Sequence, residues 1–243
     1  MTDSRLRRLR AELLSPAELD AAIAAHPIAF LPLGTLEFHG PHLPIGLDAL
    51  NAHGVCLEAA AQCGGIVLPP VYQGVGGGHS DYPWTIMMRE ESGLSAYLEQ
   101  TLAKLQSFGV HLAVVFTGHF AEQQLSMIDN LAETWNTAGN RMSVYATGVN
   151  RSDVELPPDH AGVFESTLLH SFAPELVHLD RLPDRTAHPD WGRNASGAQR
   201  HDPSHPLWGV FGQDPREANL DESRELGIAV VSWLSREIAR RRP

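Results

Sequence analysis

Acidic and imidazole side chains are concentrated in the stretch LPLGTLEFHGPHLPIGLDAL, residues 31–50. Glu37 and His39 directly follow an apolar run, and Asp48 comes soon after them. In an extended segment, residues two apart point the same way, so Glu37 and His39 can face one site while Phe38 turns back into the core. Carboxylates and imidazoles without cysteine are ligands suited to Zn²⁺ or Mn²⁺. The stretch therefore predicts part of a metal site at the end of a buried strand.

Two other predicted strands are followed by the same residue types. His119 follows VHLAVVFTG, with Glu122 close behind it. The segment after RMSVYATGV contributes Asp159, His160 and Glu165. In open α/β sheets, ligands bind outside the carboxyl ends of the strands, so all three strand ends are expected to converge on one site.

The convergent set is suited to metal-assisted hydrolysis. A carboxylate such as Asp48 can bridge two ions, and two ions a few ångströms apart acidify a shared water and polarise a carbonyl oxygen. Each residue alone has a simpler explanation. Glu122 can be a first-turn acid favoured by the helix dipole, and His42 can hold its loop through backbone hydrogen bonds. The concurrence of three strand ends favours a site over three unrelated loop residues.

The elements around these residues predict an α/β fold. Apolar strands alternate with helical segments along the chain, which is typical of a mostly parallel sheet sandwiched between helices. YPWTIMM is a further candidate strand, and REANLDESRELGIAVVSWLSREIARR is predicted to be a helix. Residues 1–243 show no internal repeat or domain boundary and are expected to form a single domain. The segment from about Pro183 to Gly212 is expected to be a long loop over the site or at a subunit contact.

Composition excludes several classes of protein. The formal charge is −11, with 29 acidic and 18 basic residues, which disfavours nucleic acid and anionic membranes as partners. Two cysteines that do not form a C-x-x-C motif, and the lack of an apolar run approaching ~20 residues, favour a reducing cytoplasm. The glycine-rich GVGGG, residues 74–78, lacks the pattern of a nucleotide loop and predicts a flexible loop close to a ligand.

Several segments resemble the creatininase (creatinine amidohydrolase) family. LPLGTLEFHGPHLPIGLD is similar to its E-x-H-G-P-H-x-P-x-x-x-D motif, and HSDYPWTI to its H-x-x-F-P-G-T segment. TGHFAEQQ stands where the family has N-G-H, DHAGVFESTLL resembles H-A/G-G-x-x-E-T-S, and GVFGQDPREANLDESRELG resembles G-V-x-G-D-P-x-x-A. The resemblance covers about residues 15 to 240. It implies a doubly wound α/β sandwich, a dinuclear metal site and a homo-oligomer, often a hexamer.

The resemblance also implies roles for individual residues. Glu37 and His119 would bind one ion, His39 the other, and Asp48 would bridge them. Creatininase itself completes the second site with a Glu at the position of Ala121. Here Glu165 is the first candidate for that ligand and Glu122 the second. The remaining implied roles are His160 as the catalytic proton shuttle and Asp159 as the acidic neighbour that orients it or tunes its pKa.

Departures from the family pattern lie among the substrate-reading positions. Trp84 replaces Gly, Thr117 replaces Asn, and Phe120 with Ala121 replaces the usual small or Tyr-Glu pair. Trp84 and Phe120 are expected to narrow or reshape the pocket, and His79 on the glycine-rich loop is a further candidate for substrate binding.

The sequence thus predicts a cytoplasmic, dinuclear metal-dependent amidohydrolase. It would cleave a cyclic or formamide-type C–N bond of a small molecule with two divalent ions, Zn²⁺ or Mn²⁺, with Fe²⁺ as an alternative. Two other interpretations remain open: a lactone- or sugar-directed enzyme on the same site, and a catalytically inactive metal-binding homologue.

Overall fold

A parallel four-stranded sheet forms the centre of the computed structural model, which describes residues 4–78, 80–186, 202–205 and 207–242. The strands are β1 (Ile28–Leu33), β2 (Ile66–Val67), β3 (Leu112–Thr117) and β4 (Ser143–Gly148), and their order is β2-β1-β3-β4. In the register, Leu33 lies beside Thr117 and Thr117 beside Gly148. The carboxyl ends of the three long strands are therefore level, and the segments that follow them start at one edge.

Helices cover both faces of the sheet. They are α1 (Ser4–Arg7), α2 (Pro16–Ala25), α3 (Leu47–Cys63), α4 (Ser92–Ser107), α5 (Glu122–Thr137), α6 (Val163–Phe172) and α7 (Ser223–Ala239). Side chains of β1 and β3 alternate between two cores: one is shared with α3, α6 and α7, and the other with α2, α4 and α5. Burial on both faces explains why β1 and β3 are continuously apolar. The predicted α/β sandwich is confirmed.

Local signals account for several element boundaries. Helix α2 starts with a capping box, in which the Ser15 backbone N–H donates to the Glu18 carboxylate at 2.7 Å, followed by Pro16 in the first turn. Strand β2 stops after two residues because Pro69 and Pro70 follow closely and proline has no N–H to donate to a sheet.

Two predictions of secondary structure were wrong. YPWTIMM forms no strand and contributes only isolated bridges at Ile86 and Met88, because no sheet strand lies beside it. The last helix begins at Ser223 rather than at Arg216. Two short 3-10 turns precede it, where the Asp214 and Asn219 side chains accept backbone N–H groups that a longer helix would use.

The carboxyl-terminal part of the predicted Pro183–Gly212 loop packs against the first motif. Trp208 lies 5.4 Å from Phe38 and 4.5 Å from Tyr82 between ring centroids. Residues 187–201 and 206, and the candidate His79, lie outside the described residues. Among the described helices, none combines the length and the apolar character that crossing a membrane requires.

Candidate metal centre

Glycines let α3 start directly against the strand ends. A Cβ added to Gly34, after β1, would lie 2.1 Å from the Ala49 backbone nitrogen. A Cβ added to Gly118, after β3, would lie 2.0 Å from the Asp48 backbone oxygen. Only glycine permits this approach, and it places the first turn of α3, with the Asp48 side chain, between the two strand ends.

One group of possible metal ligands consists of Glu37, Asp48 and His119. His119 Nδ1 lies 3.1 Å from Glu37 Oε2 and 3.3 Å from Asp48 Oδ2. The Thr35 hydroxyl lies within hydrogen-bonding distance of both carboxylates and helps to hold them together. All four side chains are buried.

A second group consists of His39, Asp48 and Glu165. His39 Nε2 lies 3.4 Å from Asp48 Oδ1 and 3.5 Å from Glu165 Oε2. Asp48 is therefore common to both groups, with one oxygen directed at each histidine. This is the geometry expected of a carboxylate that bridges two ions, which the sequence suggested for Asp48.

The donor set fits divalent cations. His39 Nδ1 lies 2.9 Å from the Glu37 backbone oxygen. Because a carbonyl oxygen can only accept a hydrogen bond, Nδ1 must carry a hydrogen, and the lone pair of the neutral ring is then on Nε2. Nε2 is buried, makes no hydrogen bond within the described part of the chain, and faces two carboxylates. A lone pair facing carboxylate oxygens is repulsive unless a proton or a metal ion lies between them.

Charges within this cluster shift its pKa values strongly. Burial lowers the pKa of both histidines, but neighbouring carboxylates outweigh this effect. Asp48 and Glu165 raise the pKa of His39 to about 10. Asp48 and Glu37 raise the pKa of His119 to about 10. Burial raises the pKa of Glu165 well above its ordinary value. Burial also opposes ionisation of Asp48, but His39 and His119 hold the pKa of Asp48 below its ordinary value. The cluster thus has a high affinity for positive charge, which protons or metal ions can supply.

His160 lies beside the second group, and with Glu37 and His39 it forms a third, partly buried group of possible ligands. Its ring is tilted by 30° against His39 at 4.3 Å between centroids, and its Nε2 lies 3.0 Å from the Phe38 backbone oxygen. Its backbone pairs with Phe211 in both directions, at 3.1 and 2.8 Å. The Phe38 carbonyl, after β1, and the Phe211 backbone therefore fix this imidazole next to the metal ligands.

Asp159 contacts the start of α6. Its carboxylate accepts hydrogen bonds from the backbone N–H groups of Gly162 at 3.2 Å, Phe164 at 2.9 Å and Glu165 at 3.2 Å. Burial raises the pKa of Asp159 to about 7, although these hydrogen bonds oppose the shift. Asp159 therefore caps the helix that presents Glu165, a role that the sequence did not suggest.

A cavity of about 240 Å³ opens over both groups. Its described lining is Glu37, Asp48, Gly77, Gly78, His119, Phe120, Ala121, His160 and Glu165. Phe120 is thus where the sequence placed it. Trp84 is 80% exposed and is not part of this lining. Glu122 is exposed at the first residue of α5, so the structure brings Glu165, and not Glu122, to the second group.

Two buried polar residues at the site, Thr35 and Gln124, were missed by the sequence reasoning. Thr35 contacts both carboxylates of the first group. Gln124 donates a hydrogen bond to Thr117, which the sequence had marked only as a departure from the family pattern. Thr35 lies inside the first motif, which was a usable signal. Gln124 lies in the polar first turn of α5, where the sequence indicates only a surface side chain.

Residues 12–238 match the sequence profile of the creatininase family, which is described as creatinine amidohydrolase. The chain belongs to the creatininase family. It is an amidohydrolase of that family, so the predicted family and the predicted enzyme class are both confirmed.

Individual members of the creatininase family show how far the likeness extends. The creatinine amidohydrolase of Pseudomonas putida is 27% identical over 194 residues, which are 69% of this chain and 73% of that protein. The mycofactocin precursor peptide peptidase of Mycobacterium ulcerans is 27% identical over 226 residues, 89% of this chain and 86% of that protein. A 2-amino-5-formylamino-6-ribosylaminopyrimidin-4(3H)-one 5'-monophosphate deformylase of Methanothermobacter marburgensis is 31% identical over 113 residues, 44% and 47% of the two chains. The solved structure of a single-substitution creatininase variant superposes with a TM-score of 0.77 at 25% identity, covering 97% of this chain and 99% of that one.

Proposed function

We propose that this protein hydrolyses a non-peptide C–N amide bond of a small molecule with the aid of two divalent metal ions. One observation carries the proposal: Asp48 is shared by two buried groups of ligand-type side chains under a single cavity. A structural metal site needs one such group and no cavity above it. Two groups that share a carboxylate are typical of dinuclear hydrolytic sites.

We assign Glu37, Asp48 and His119 to one ion and His39, Asp48 and Glu165 to the other. The 3.5 Å between His39 Nε2 and Glu165 Oε2 supports Glu165 as the ligand that the sequence left open between Glu165 and Glu122. Imidazole and carboxylate donors without thiolate fit Zn²⁺ or Mn²⁺, and Fe²⁺ is compatible with the same set.

The side chains have distinct proposed tasks. Two bound ions would polarise the amide carbonyl and acidify a water molecule. His160 would protonate the departing nitrogen, supported by its position at the cavity lining and against His39. The Phe38 carbonyl holds the His160 ring in that orientation. Asp159 would act on the reaction indirectly, by holding the start of α6.

The cavity limits the substrate class. A volume of about 240 Å³ accepts a small molecule or the end of a longer one. The names of the relatives include a creatinine amidohydrolase, a deformylase and a precursor peptide peptidase. For this chain we propose an amide outside ordinary peptide links. Phe120 would contact the substrate in the cavity, and Trp84 and His79 remain proposed substrate contacts from the neighbouring loop.

Two broader properties are also part of the proposal. The family resemblance suggests a homo-oligomer, with a hexamer as the expected form. A cytoplasmic location is supported by Cys56 and Cys63, which are both buried free thiols.

Metal analysis followed by a substrate panel tests the proposal. Protein purified without chelator should contain about two ions per chain, and it should hydrolyse members of a panel of cyclic amides and formamides more readily than the matched lactones. Lactone hydrolysis alone would favour the lactonase alternative. Two ions without hydrolysis of any panel member would favour the inactive metal-binding alternative.

Asp48→Ala is the matching substitution. Because Asp48 contributes an oxygen to both groups, its loss should lower the metal content below two ions and reduce hydrolysis by at least about a thousandfold. Elemental analysis and the panel assay measure both effects. Unchanged metal content and unchanged hydrolysis in this variant would refute the dinuclear site.

A further inference from the structure

Gln124 is a fully buried amide in the first turn of α5. A buried glutamine must find partners for its oxygen and its amino group, so its contacts report what it is needed for. Neither the metal groups nor the proposed proton transfer uses this side chain.

Each end of the Gln124 amide holds a different segment. Its Oε1 accepts the backbone N–H of Val75, in the glycine-rich loop, at 2.9 Å. Its Nε2 donates to the Thr117 hydroxyl at 3.3 Å, and that hydroxyl donates to the backbone oxygen of His119 at 2.7 Å. One side chain therefore connects the loop to the turn that carries a proposed metal ligand.

The two connected segments are neighbours in the cavity lining. Gly77 and Gly78 of the loop line the cavity together with His119 and Phe120. A Cβ added to Gly77 would lie 3.6 Å from His119 Cε1, so the loop backbone is in near contact with the imidazole. A shift of the loop relative to the His119 turn would therefore change the shape of the cavity.

Val75 anchors the start of the loop with a side chain that is fully buried in the core, but the glycines after it have few restraints. Gly76 and Gly77 adopt positive φ angles of 80° and 88°, and these residues offer no side chains to anchor the backbone. Besides the Gln124 contact, the Met88 N–H donates to the Gly74 oxygen at 2.9 Å, before the cavity-lining glycines. Among the described residues, the Val75–Gln124 hydrogen bond is thus the hydrogen bond nearest in the chain to Gly77 and Gly78, while the Gly76 backbone packs against Gln123 and the Gly77 backbone against His119.

We propose that Gln124 is a positioning residue that fixes the shape of the substrate cavity by tying the glycine-rich loop to the His119 turn. The inference rests on the proposed function in that it takes this cavity as the substrate site. Removing the acceptor for Val75 should release Gly76 to Gly78 and weaken substrate binding, while the carboxylates and imidazoles that bind metal stay in place.

Gln124→Met tests this inference, with Gln100→Met on the exposed face of α4 as the matched control. In the metal-free protein, hydrogen exchange of the amides in residues 74–78 should become about tenfold faster in Gln124→Met and stay unchanged in the control. With metal restored and the best-hydrolysed panel compound as substrate, KM should rise about tenfold with kcat and metal content close to those of the parent protein. Gln124→Glu keeps an acceptor for Val75 but loses the donor to Thr117, so it should restore the protection of the Val75 amide without restoring the low KM.

The outcomes separate the two proposals. A Gln124→Met protein with parental exchange in the loop and parental KM would overturn the positioning role. Loss of kcat or of thermal stability without a change in KM would overturn it as well, because it would indicate a general structural role. If the parent protein hydrolyses no panel compound, the proposed function fails, and the exchange measurement still decides whether Gln124 holds the loop.

Discussion

At the scale of single residues, the metal site depends on pairing buried acids with buried imidazoles. His39 and His119 each face two carboxylates, which raise the pKa of both rings to about 10 although burial opposes this. In the metal-free protein both rings are therefore in the protonated, positively charged form at neutral pH. A ring nitrogen can bind metal only after it has lost that proton. Metal binding and proton release are therefore linked at this site.

We expect Zn²⁺ binding to the metal-free protein at pH 8 to release at least about two protons per chain, and the metal affinity to rise with pH. Calorimetric titration in buffers of different ionisation enthalpy measures the protons released. The metal-free fold should show the opposite trend. The folded pKa values exceed the ordinary value of 6.5, so the ion pairing stabilises fully below pH 6.5 and is lost as the pH rises towards about 10. Binding without proton release would contradict the assignment of both histidines as ligands.

At the scale of elements, helix α6 completes the site, and Asp159 determines where that helix begins. Its carboxylate accepts the backbone N–H groups of Gly162, just before the helix, and of Phe164 and Glu165 in the first turn. The Gly212 backbone lies against it, since a Cβ there would come within 2.2 Å of Asp159 Cβ. The direction of the Glu165 side chain therefore depends on this cap.

Asp159→Asn should reduce the free energy of unfolding by about 1–2 kcal/mol, because an amide group accepts through one atom only and turns N–H groups towards the helix amides. It should also lower the occupancy of the ion assigned to Glu165, leaving about one ion per chain at limiting metal. Urea unfolding and elemental analysis measure the two effects. Asp184→Asn, at an exposed turn where Asp184 accepts from Thr186, is the control and should stay within about 0.5 kcal/mol. A variant with full stability and two ions would show that the cap does not control the site.

The sequence predicted some elements well, but it did not predict how those elements are arranged around the site. The buried strands β1 and β3 and the helices α3, α5 and α6 have apolar patterns that depend on their own residues, so they were predictable. The choice between Glu122 and Glu165 was not predictable from the sequence. It depends on how Asp159 and Gly212 orient α6, and these contacts exist only in the folded protein. Gln124 was hidden for a similar reason: a first-turn glutamine becomes buried only when the glycine-rich loop packs on it.

At the scale of the whole molecule, an exposed apolar surface lies beside the metal site. Trp84, Ile86 and Ile45 are 80%, 58% and 38% exposed. The Ile86 N–H donates to the Leu36 oxygen and the Glu37 N–H to the Ile45 oxygen, both at 2.7 Å, so Ile86 and Ile45 flank the segment that carries Glu37. Large apolar side chains grouped on a surface are typical of an interface between proteins.

If the protein is the homo-oligomer that we propose, this surface is the expected contact between its subunits. Ile86→Asp should then dissociate the oligomer. An aspartate at this position would bury an unpaired charge in the interface, which costs several kcal/mol per contact. Light scattering coupled to size-exclusion chromatography should give the mass of one chain for Ile86→Asp and a multiple of it for the parent protein. Ile228→Asp, at a 54% exposed position on α7, is the control and should keep the parental mass. If Ile86→Asp kept the parental assembly and Ile228→Asp dissociated, the interface would lie on α7 instead. A monomeric parent protein would refute the proposed oligomer.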